Sequence, residues 1–404
     1  MRLMNRRFAA GAMVVLMLFL AVLLAPVSGA GGTDPSSLGK LWVYTREDNE
    51  ATFWKLAWSP DGKYVAATFF DNTLVVLNAD DGTVEQEFNF NPEDPYRCDG
   101  FAPEGTRPLR CVAFSPKSDL LACAGDDLKV RVINTTTWET ELTLAGHTGS
   151  VLCLDFSPNG RFLASGSGTD KVIPQNDGEN LTRIWDMDKG RQYRVLEGHA
   201  DGVLGVRWSH GGDRIATCSD DRTVRVWSFP GCEQLLNMTG HTSGVLDLDW
   251  TEDDSNLITG SRDYKIKMWD TKTGKTLATW DDNNCVRSVD VHPTAELAAT
   301  SGVDLTLKIR DLGTGSELKI IKDGIDAHAM VMNSRWSPDG TRLVSGLGKS
   351  HQVIMYAFGA QSGQEGGMDV GRSTLSTVAL LGVSIVFLAA LFYPVMGRIR
   401  KRRG

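Results

Sequence analysis

The chain has 404 residues, of which 42% are hydrophobic, 8% aromatic and 23% charged, and its net charge is −8 at pH 7. This composition is typical of a globular protein and excludes a collagen-like or a disordered chain. Nine of the 42 Lys and Arg residues lie near the two ends, where there are no acidic residues, so residues 31–371 hold 33 basic and 50 acidic groups, a net charge of −17. Such an acidic segment argues against nucleic acid or anionic lipid as its ligand.

The first 30 residues have the three-part pattern of a secretory signal peptide. Three arginines among the first seven residues precede an uncharged apolar run over residues 8–24, and small residues follow at Ser28, Gly29 and Ala30. This pattern predicts export with cleavage after Ala30. The apolar run is long for a signal peptide and short for a membrane span, so an uncleaved signal anchor over residues 1–30 is the alternative.

A phrase close to apolar-x-aromatic-Ser-Pro-Asp-Gly recurs seven times in the chain. Its aromatic or valine position falls at Trp58, Phe114, Phe156, Trp208, Trp250, Val291 and Trp336. The successive gaps of 56, 42, 52, 42, 41 and 45 residues are close to the length of one four-stranded propeller blade. The sequence therefore predicts an all-β fold, a seven-bladed β-propeller of four-stranded antiparallel blades over residues 38–360.

The strands of one blade follow from the alternation of apolar and polar residues between turns. In blade four the predicted strands cover residues 203–208, 214–218, 223–227 and 234–238. The seventh repeat lacks an outer strand after its third strand at 352–357, whereas residues 40–45 form a strand without a blade of its own. We expect this N-terminal strand to complete blade seven and close the ring, because closure removes an exposed sheet edge.

The C-terminal segment predicts a membrane anchor. A Gly- and Ser-containing linker over residues 361–373 leads to 24 uncharged residues at 374–397, and the tail at 398–404 is strongly basic. A stretch of 24 residues is long enough to cross the hydrocarbon core as a helix. Because basic flanks stay in the cytoplasm, the propeller is predicted to lie outside the cytoplasm of a cell membrane.

The repeats resemble those of the WD-repeat β-propeller family over about residues 38–360. Gly-His pairs precede the inner strands at Gly146-His147, Gly198-His199 and Gly240-His241. An aspartate stands six residues before the third-strand Trp position at Asp71, Asp127, Asp221, Asp263 and Asp304. The tryptophan itself occurs as Trp185, Trp227 and Trp269.

In the WD-repeat family a His, a second-strand Ser or Thr, the turn Asp and the Trp form a hydrogen-bonded chain within a blade. The resemblance assigns these roles to His199, Thr217, Asp221 and Trp227 in blade four, and to His241, Thr259, Asp263 and Trp269 in blade five. A buried carboxylate, imidazole and indole N–H are costly unless each satisfies another. These residues are therefore predicted to be structural and not catalytic.

No motif in the chain predicts catalysis. The sequence lacks a His-Glu-x-x-His metal motif, a Gly-x-Ser-x-Gly nucleophile elbow and a glycine-rich dinucleotide fingerprint. Its acidic pairs lack the spacing of a calcium loop. We therefore expect no catalytic residue, no metal and no cofactor.

The resemblance directs attention to one face of the ring, since family members commonly bind partners at the blade entrances and second turns. The positions that map to this face and are predicted to bind a partner are Trp54, Phe70, Arg110, Asp126, Leu204, Asp220, Leu246, Arg262, Arg287 and Val303. An apolar ring with interspersed charges suits a peptide or a protein loop. The alternative is that the leucines of this set only fill the channel.

Together these patterns predict a membrane-tethered, non-catalytic scaffold that binds a protein or peptide outside the cytoplasm. Two alternatives are an exported propeller hydrolase and a lectin-like envelope module. The hydrolase hypothesis requires a clustered acid, base or metal set that no sequence motif provides.

Overall fold

The computed structural model describes residues 38–46, 52–90, 108–117, 119–168, 178–322, 330–348 and 350–359. These residues form seven four-stranded antiparallel sheets, and the inner strands of neighbouring sheets pack against one another all the way around a ring. The predicted signal segment at 1–30, the linker at 361–373, the membrane span at 374–397 and the basic tail at 398–404 lie outside the described residues. Within the described ranges, no helix combines the length and the apolar character of a membrane span.

The strands are numbered in chain order, and each blade is given from the channel outwards. Blades one to three contain β2 Phe53–Trp58, β3 Tyr64–Phe69, β4 Thr73–Asn78 and β5 Val84–Asn89; β6 Leu109–Phe114, β7 Leu120–Gly125, β8 Lys129–Asn134 and β9 Thr140–Ala145; β10 Ser150–Phe156, β11 Phe162–Gly168, β12 Leu181–Asp186 and β13 Arg191–Glu197. Blades four to six contain β14 Val203–Trp208, β15 Arg214–Ser219, β16 Val224–Ser228 and β17 Gln234–Met238; β18 Val245–Trp250, β19 Asn256–Ser261, β20 Lys265–Asp270 and β21 Thr276–Asp281; β22 Val286–Val291, β23 Leu297–Gly302, β24 Leu307–Asp311 and β25 Glu317–Ile321. Blade seven contains β26 Val331–Trp336, β27 Arg342–Leu347, β28 Gln352–Phe358 and β1 Leu38–Thr45.

The recurring Ser-Pro-Asp-Gly phrase is the turn between the first and second strands of a blade. In blade one the hydroxyl of Ser59 donates to Asp61 Oδ1 at 2.8 Å and accepts from the backbone N–H of Tyr64 at 2.8 Å. Gly62 has a φ of 71°, a left-handed conformation that glycine adopts without strain. The Ser, the Asp and the Gly of the phrase therefore each have a local role, which explains why the turn recurs.

The N-terminal strand closes the ring, as predicted. β1 pairs antiparallel with β28, from Leu38 opposite Phe358 to Thr45 opposite Gln352. Beyond the ladder, the indole N–H of Trp42 donates to the carbonyl of Ala79 in blade one at 3.0 Å. The strand is therefore held both to its own blade and to the neighbouring blade.

The aromatic residues of the repeat also join neighbouring blades. The indole N–H of Trp208 donates to the carbonyl of Asp155 in the preceding blade at 3.2 Å, and Trp250 donates to the carbonyl of Arg207 at the same distance. Trp58 makes the equivalent bond to the carbonyl of Arg335 at 3.0 Å, across the junction of blades seven and one. A buried indole N–H needs an acceptor, and here the preceding blade supplies it.

Candidate functional site

Blades four and five contain the hydrogen-bonded chains that the resemblance implies. Thr217 Oγ1 lies 2.8 Å from Nε2 of His199 and accepts from the indole N–H of Trp227 at 2.9 Å. Nδ1 of His199 lies 2.9 Å from Oδ2 of Asp221. The blade-five chain of His241, Thr259, Asp263 and Trp269 has the same geometry, with distances of 2.8, 2.9 and 2.9 Å.

The protonation of this chain follows from its donors. Because the ionised carboxylate of Asp221 can only accept, Nδ1–H of the neutral imidazole of His199 donates to it, and Nε2 accepts from the hydroxyl of Thr217. Burial lowers the pKa of His199 and favours this neutral form. Although burial opposes ionisation of Asp221, its hydrogen bond from His199 holds the pKa of the carboxyl below its usual value. Each buried polar group of the chain thus has a hydrogen-bond partner within the same blade.

Blade three contains a complete chain that the sequence analysis missed. His147 Nδ1 lies 2.8 Å from Oε1 of Glu179, and Ser165 Oγ lies 2.7 Å from both Nε2 of His147 and Nε1 of Trp185. Glu179 stands six residues before Trp185, the spacing that we used for aspartates alone. The spacing therefore could have identified this residue.

Blade six replaces the same chain with ion pairs. Arg310 takes the Trp position and donates from Nε to Thr300 Oγ1 at 3.2 Å, while its Nη2 lies 2.5 Å from Asp282 Oδ2. Asp282 takes the His position and pairs also with Lys308 Nζ at 2.5 Å, and Lys308 reaches Asp304 at 3.0 Å. Lys308 and Arg310 are buried, with exposed fractions of 2% and 3%.

The side chains at the mouth of the channel are positioned by a β-bulge. In all seven blades the register of the inner strand shifts near its start, in blade one between Phe53 and Lys55. The extra residue is left outside the ladder, and its side chain is redirected. In blade one this residue is Trp54, and in blades two and six it is Arg110 and Arg287.

Five of the predicted partner-binding residues form one contact group, which we call the mouth cluster: Trp54, Phe70, Arg110, Asp126 and Arg287. The guanidinium of Arg110 lies 4.3 Å from the ring centre of Trp54, and that of Arg287 lies 5.8 Å from it. Trp54 and Phe70 pack with ring centres 6.0 Å apart. Arg110 is buried and forms a two-bond ion pair with Asp126, at 3.1 and 3.0 Å.

The other five predicted residues are not part of this group. Asp220 and Arg262 form an ion pair between blades four and five. Leu204 lines the channel. No hydrogen bond, ion pair or ring contact joins Leu246 or Val303 to either set within the described part of the chain. The predicted binding residues therefore divide into the mouth cluster, a separate ion pair and single side chains.

Deeper in the channel lies a ring of charges that the sequence analysis did not identify. The residue before the repeat aromatic has the same place on the inner strand of each blade, and we call this set the channel ring: Ala57, Ala113, Asp155, Arg207, Asp249, Asp290 and Arg335. All of them except Asp249 line the cavity in the channel. Oδ2 of Asp155, Asp249 and Asp290 accepts from the N–H of Trp208, Val291 and Trp336 in the next blade, at 2.7, 2.8 and 2.6 Å. The acids of this ring therefore also link blade three to four, blade five to six and blade six to seven.

One layer above the channel ring, Asp247 is surrounded by three cations. Its carboxylate lies 3.0 Å from Arg335, 3.6 Å from Arg207 and 3.8 Å from Lys55. Burial raises the pKa of Asp155 to about 6, and burial also raises the pKa of Asp290 despite the pairing with Arg335. The pKa of Asp247 is instead lowered, because the attraction of the surrounding cations outweighs the effect of burial.

In the described residues, no three or more His, Cys, Asp or Glu side chains are placed to hold a metal ion.

A closed ring of seven blades with His–Ser/Thr–Asp/Glu–Trp chains defines a WD-repeat propeller. The family model described as "WD domain, G-beta repeat" matches residues 42–78, 101–134, 138–173, 190–228, 232–270 and 274–311, more than half of the chain. The chain therefore belongs to the WD40 repeat family. WD40 propellers typically act as non-catalytic scaffolds that bind protein partners.

Similar proteins come from several eukaryotes. Protein tipD of Dictyostelium discoideum is 27% identical over 59% of this chain and 38% of its own length. A subunit of chromatin assembly factor 1 from Gallus gallus is 27% identical over 30% of this chain and 23% of its own length. Nuclear distribution protein PAC1 of Ajellomyces capsulatus is 32% identical over 25% of this chain and 20% of its own length. The chain thus matches less than two fifths of the length of these relatives.

Proposed function

We propose that this chain is a membrane-tethered WD40 scaffold that binds a protein or peptide partner outside the cytoplasm and catalyses no reaction. The observation that carries this proposal is the mouth cluster, in which Trp54 lies half-buried under the guanidinium groups of Arg110 and Arg287. Tryptophan and arginine are the side chains that most often dominate binding energy in protein interfaces.

The mouth cluster is held in place before any partner arrives. The bulge aims Trp54, the ion pair to Asp126 fixes Arg110, and the ring of Phe70 supports both. Because these side chains have little freedom left to lose, binding to them is less opposed by entropy. The name of one relative, a subunit of chromatin assembly factor 1, likewise describes a part of an assembly.

The membrane tether and the orientation rest on sequence patterns. The predicted export signal at 1–30, the uncharged stretch at 374–397 and the basic tail at 398–404 support a single span with the tail in the cytoplasm. The net charge of −17 between residues 31 and 371 suits a domain that is kept away from anionic headgroups.

The binding surface is tested by substitution at its centre. The full-length protein and its Trp54→Ala variant are purified by affinity from cross-linked native membranes, and the affinity of the recovered partner is then measured with purified components. We expect W54A to bind at least about tenfold more weakly. The matched control is Leu277→Ala, because Leu277 is 55% exposed on the outer strand β21, away from the channel. A partner that binds wild type and W54A equally would rule out the mouth cluster.

The orientation is tested with an impermeant thiol reagent on intact cells. We expect a Gly363→Cys variant to label in intact cells and a Gly404→Cys variant to label only after permeabilisation, each relative to the parent protein. Labelling of G404C alone in intact cells would reverse the proposed orientation. The labelling and the binding measurement succeed or fail independently.

A further inference from the structure

The channel ring leaves a gap on the side of blades one and two. There the positions occupied by charged residues in the other five blades are Ala57 and Ala113, whose methyl groups do not reach across the channel. A cavity of about 230 Å³ results, and its polar wall contains Lys55, Asp155, Arg207, Asp247, Asp290 and Arg335. Since one water takes about 30 Å³, the cavity has room for a ligand of roughly seven water-sized groups.

Lys55 is the least satisfied group on this wall. Its ammonium makes no hydrogen bond within the described residues, and its ion pair is the 3.8 Å contact with Asp247. An ammonium has three donors, and burying it without acceptors is costly. The side chains of Lys55 and Arg207 are 18% and 17% exposed, so solvent and small solutes reach them.

Lys55 also has fewer carboxylate partners than the two arginines of the wall. Arg335 also pairs with Asp290 at 3.2 Å, and Arg207 also pairs with Asp249 at 3.8 Å. The ion pair of Lys55 is with Asp247, whose carboxylate both arginines also contact. Asp155 and Asp290 each already use one oxygen on a backbone N–H of the next blade. Lys55 therefore lines the cavity with N–H donors that no side chain of the described residues accepts.

We propose that this cavity binds a small oxyanion, with Lys55 and Arg207 as the charged binding groups. Both cations lie within 4 Å of the same carboxylate, so one further anionic group next to Asp247 reaches both. The size of the cavity limits the ligand to a small anion. A small carboxylate and an inorganic oxyanion both fit, because both present the same acceptor oxygens. This site is independent of partner binding at the mouth cluster.

The proposal is tested by calorimetric titration of the full-length protein in detergent at pH 7 and constant ionic strength. The probes are sodium acetate, sulfate and phosphate, each up to about 20 mM. We expect saturable binding of at least one anion, and at least about tenfold weaker binding in Lys55→Met and in Ala113→Asp. A113D places a carboxylate where blade three has Asp155, and it repels the anion without removing Lys55. The matched control Lys63→Met changes a lysine that is 71% exposed, and its affinity is expected to equal that of wild type.

The pattern of results identifies the ligand class or removes the site. Binding of acetate alone identifies a carboxylate, and binding of sulfate or phosphate alone identifies an inorganic oxyanion. No saturable heat with any probe, or equal binding by wild type and the folded K55M and A113D variants, overturns the proposal. Circular dichroism and thermal unfolding establish that each variant is folded, and if K55M fails to fold, A113D decides.

Discussion

The guanidinium of Arg310 donates from Nε to the hydroxyl of Thr300 at 3.2 Å, in the place where Trp227 donates an indole N–H to Thr217. The same backbone position thus supplies a neutral donor in one blade and a charged donor in another. The charge requires further partners, and blade six provides Asp282 and Glu317 at 2.5 and 2.6 Å. This blade therefore keeps the donor of the WD-repeat chain and changes its electrostatics.

Replacing Arg310 with methionine leaves Asp282 without one of its two cations in a buried site. Removing one partner of a buried ion pair typically destabilises by about 3–5 kcal/mol. We expect R310M to fall in this range in denaturant unfolding of the full-length protein. Lys63→Met is the control, because the side chains of Lys63 and its partner Asp61 are 71% and 47% exposed and exposed pairs contribute less than about 1 kcal/mol. Equal losses in the two variants would contradict a special role for blade six.

Replacing Thr217 with valine keeps the shape of the side chain and removes the hydroxyl that links His199 and Trp227. Leaving a buried polar group unsatisfied costs about 1–3 kcal/mol, and two groups are affected here. We expect Thr217→Val to lower the free energy of unfolding by about 2–4 kcal/mol. Thr242→Val, at an exposed threonine beside His241, should change it by less than about 0.5 kcal/mol.

Glu179 makes blade three sensitive to acid. Although burial opposes its ionisation, hydrogen bonds from His147 and Arg183 lower the pKa of the carboxyl to about 2. Because the pKa of Glu179 is lower in the folded protein, its ionised form stabilises the fold at any pH above about 4.5, the pKa of the group in the unfolded chain. This stabilisation is lost as the pH falls from about 4.5 towards 2. Glu179→Gln should destabilise by about 1 kcal/mol at pH 7 and lose part of this pH dependence. Thermal unfolding between pH 2 and 7 measures both effects, with the exposed Glu85→Gln as control. Parallel pH curves for E179Q and wild type would contradict the assignment.

Asp155 acts in the opposite direction. Burial raises its pKa to about 6, so the native state keeps a proton that the unfolded chain releases near pH 4. The stabilisation from this proton is complete below pH 4 and is lost as the pH rises through 6. Asp155→Asn keeps an oxygen for the N–H of Trp208 and removes the titrating group. We expect the free energy of unfolding of D155N to exceed that of wild type by about 1 kcal/mol at pH 8 and to equal it at pH 4. Denaturant unfolding at the two pH values measures this difference. A variant less stable than wild type at pH 8 would show that the charge of Asp155 is needed.

The hydrogen-bonded chains of blades four and five follow the residue types and spacings of the sequence, because their members are joined by strands of a single sheet. The pattern of an aspartate six residues before the tryptophan does not include Glu179, although Glu179 has this spacing to Trp185. The chain in blade six could not be predicted in this way. Its donor is Arg310 and not a Trp, and nothing in the local pattern indicates that Asp282 has become its partner.

The mouth cluster shows the same limit at longer range. The resemblance placed ten residues on one face of the ring, and five of them are in contact in the structure. Trp54 of blade one contacts Arg110 of blade two and Arg287 of blade six. Which side chains meet depends on the bulge in each inner strand and on the diameter of the closed ring. Neither quantity appears in the spacing of the repeats.

By itself, the sequence determined the seven blades, the strands within them and the closing N-terminal strand. These features follow from a local alternation, from turns such as Ser59–Gly62 and from a period of one blade length. Only the tertiary structure decided that Lys55, Arg207 and Arg335 surround Asp247 in the channel. These residues come from four different blades and meet at the axis, because closing the ring brings together side chains that are distant along the chain.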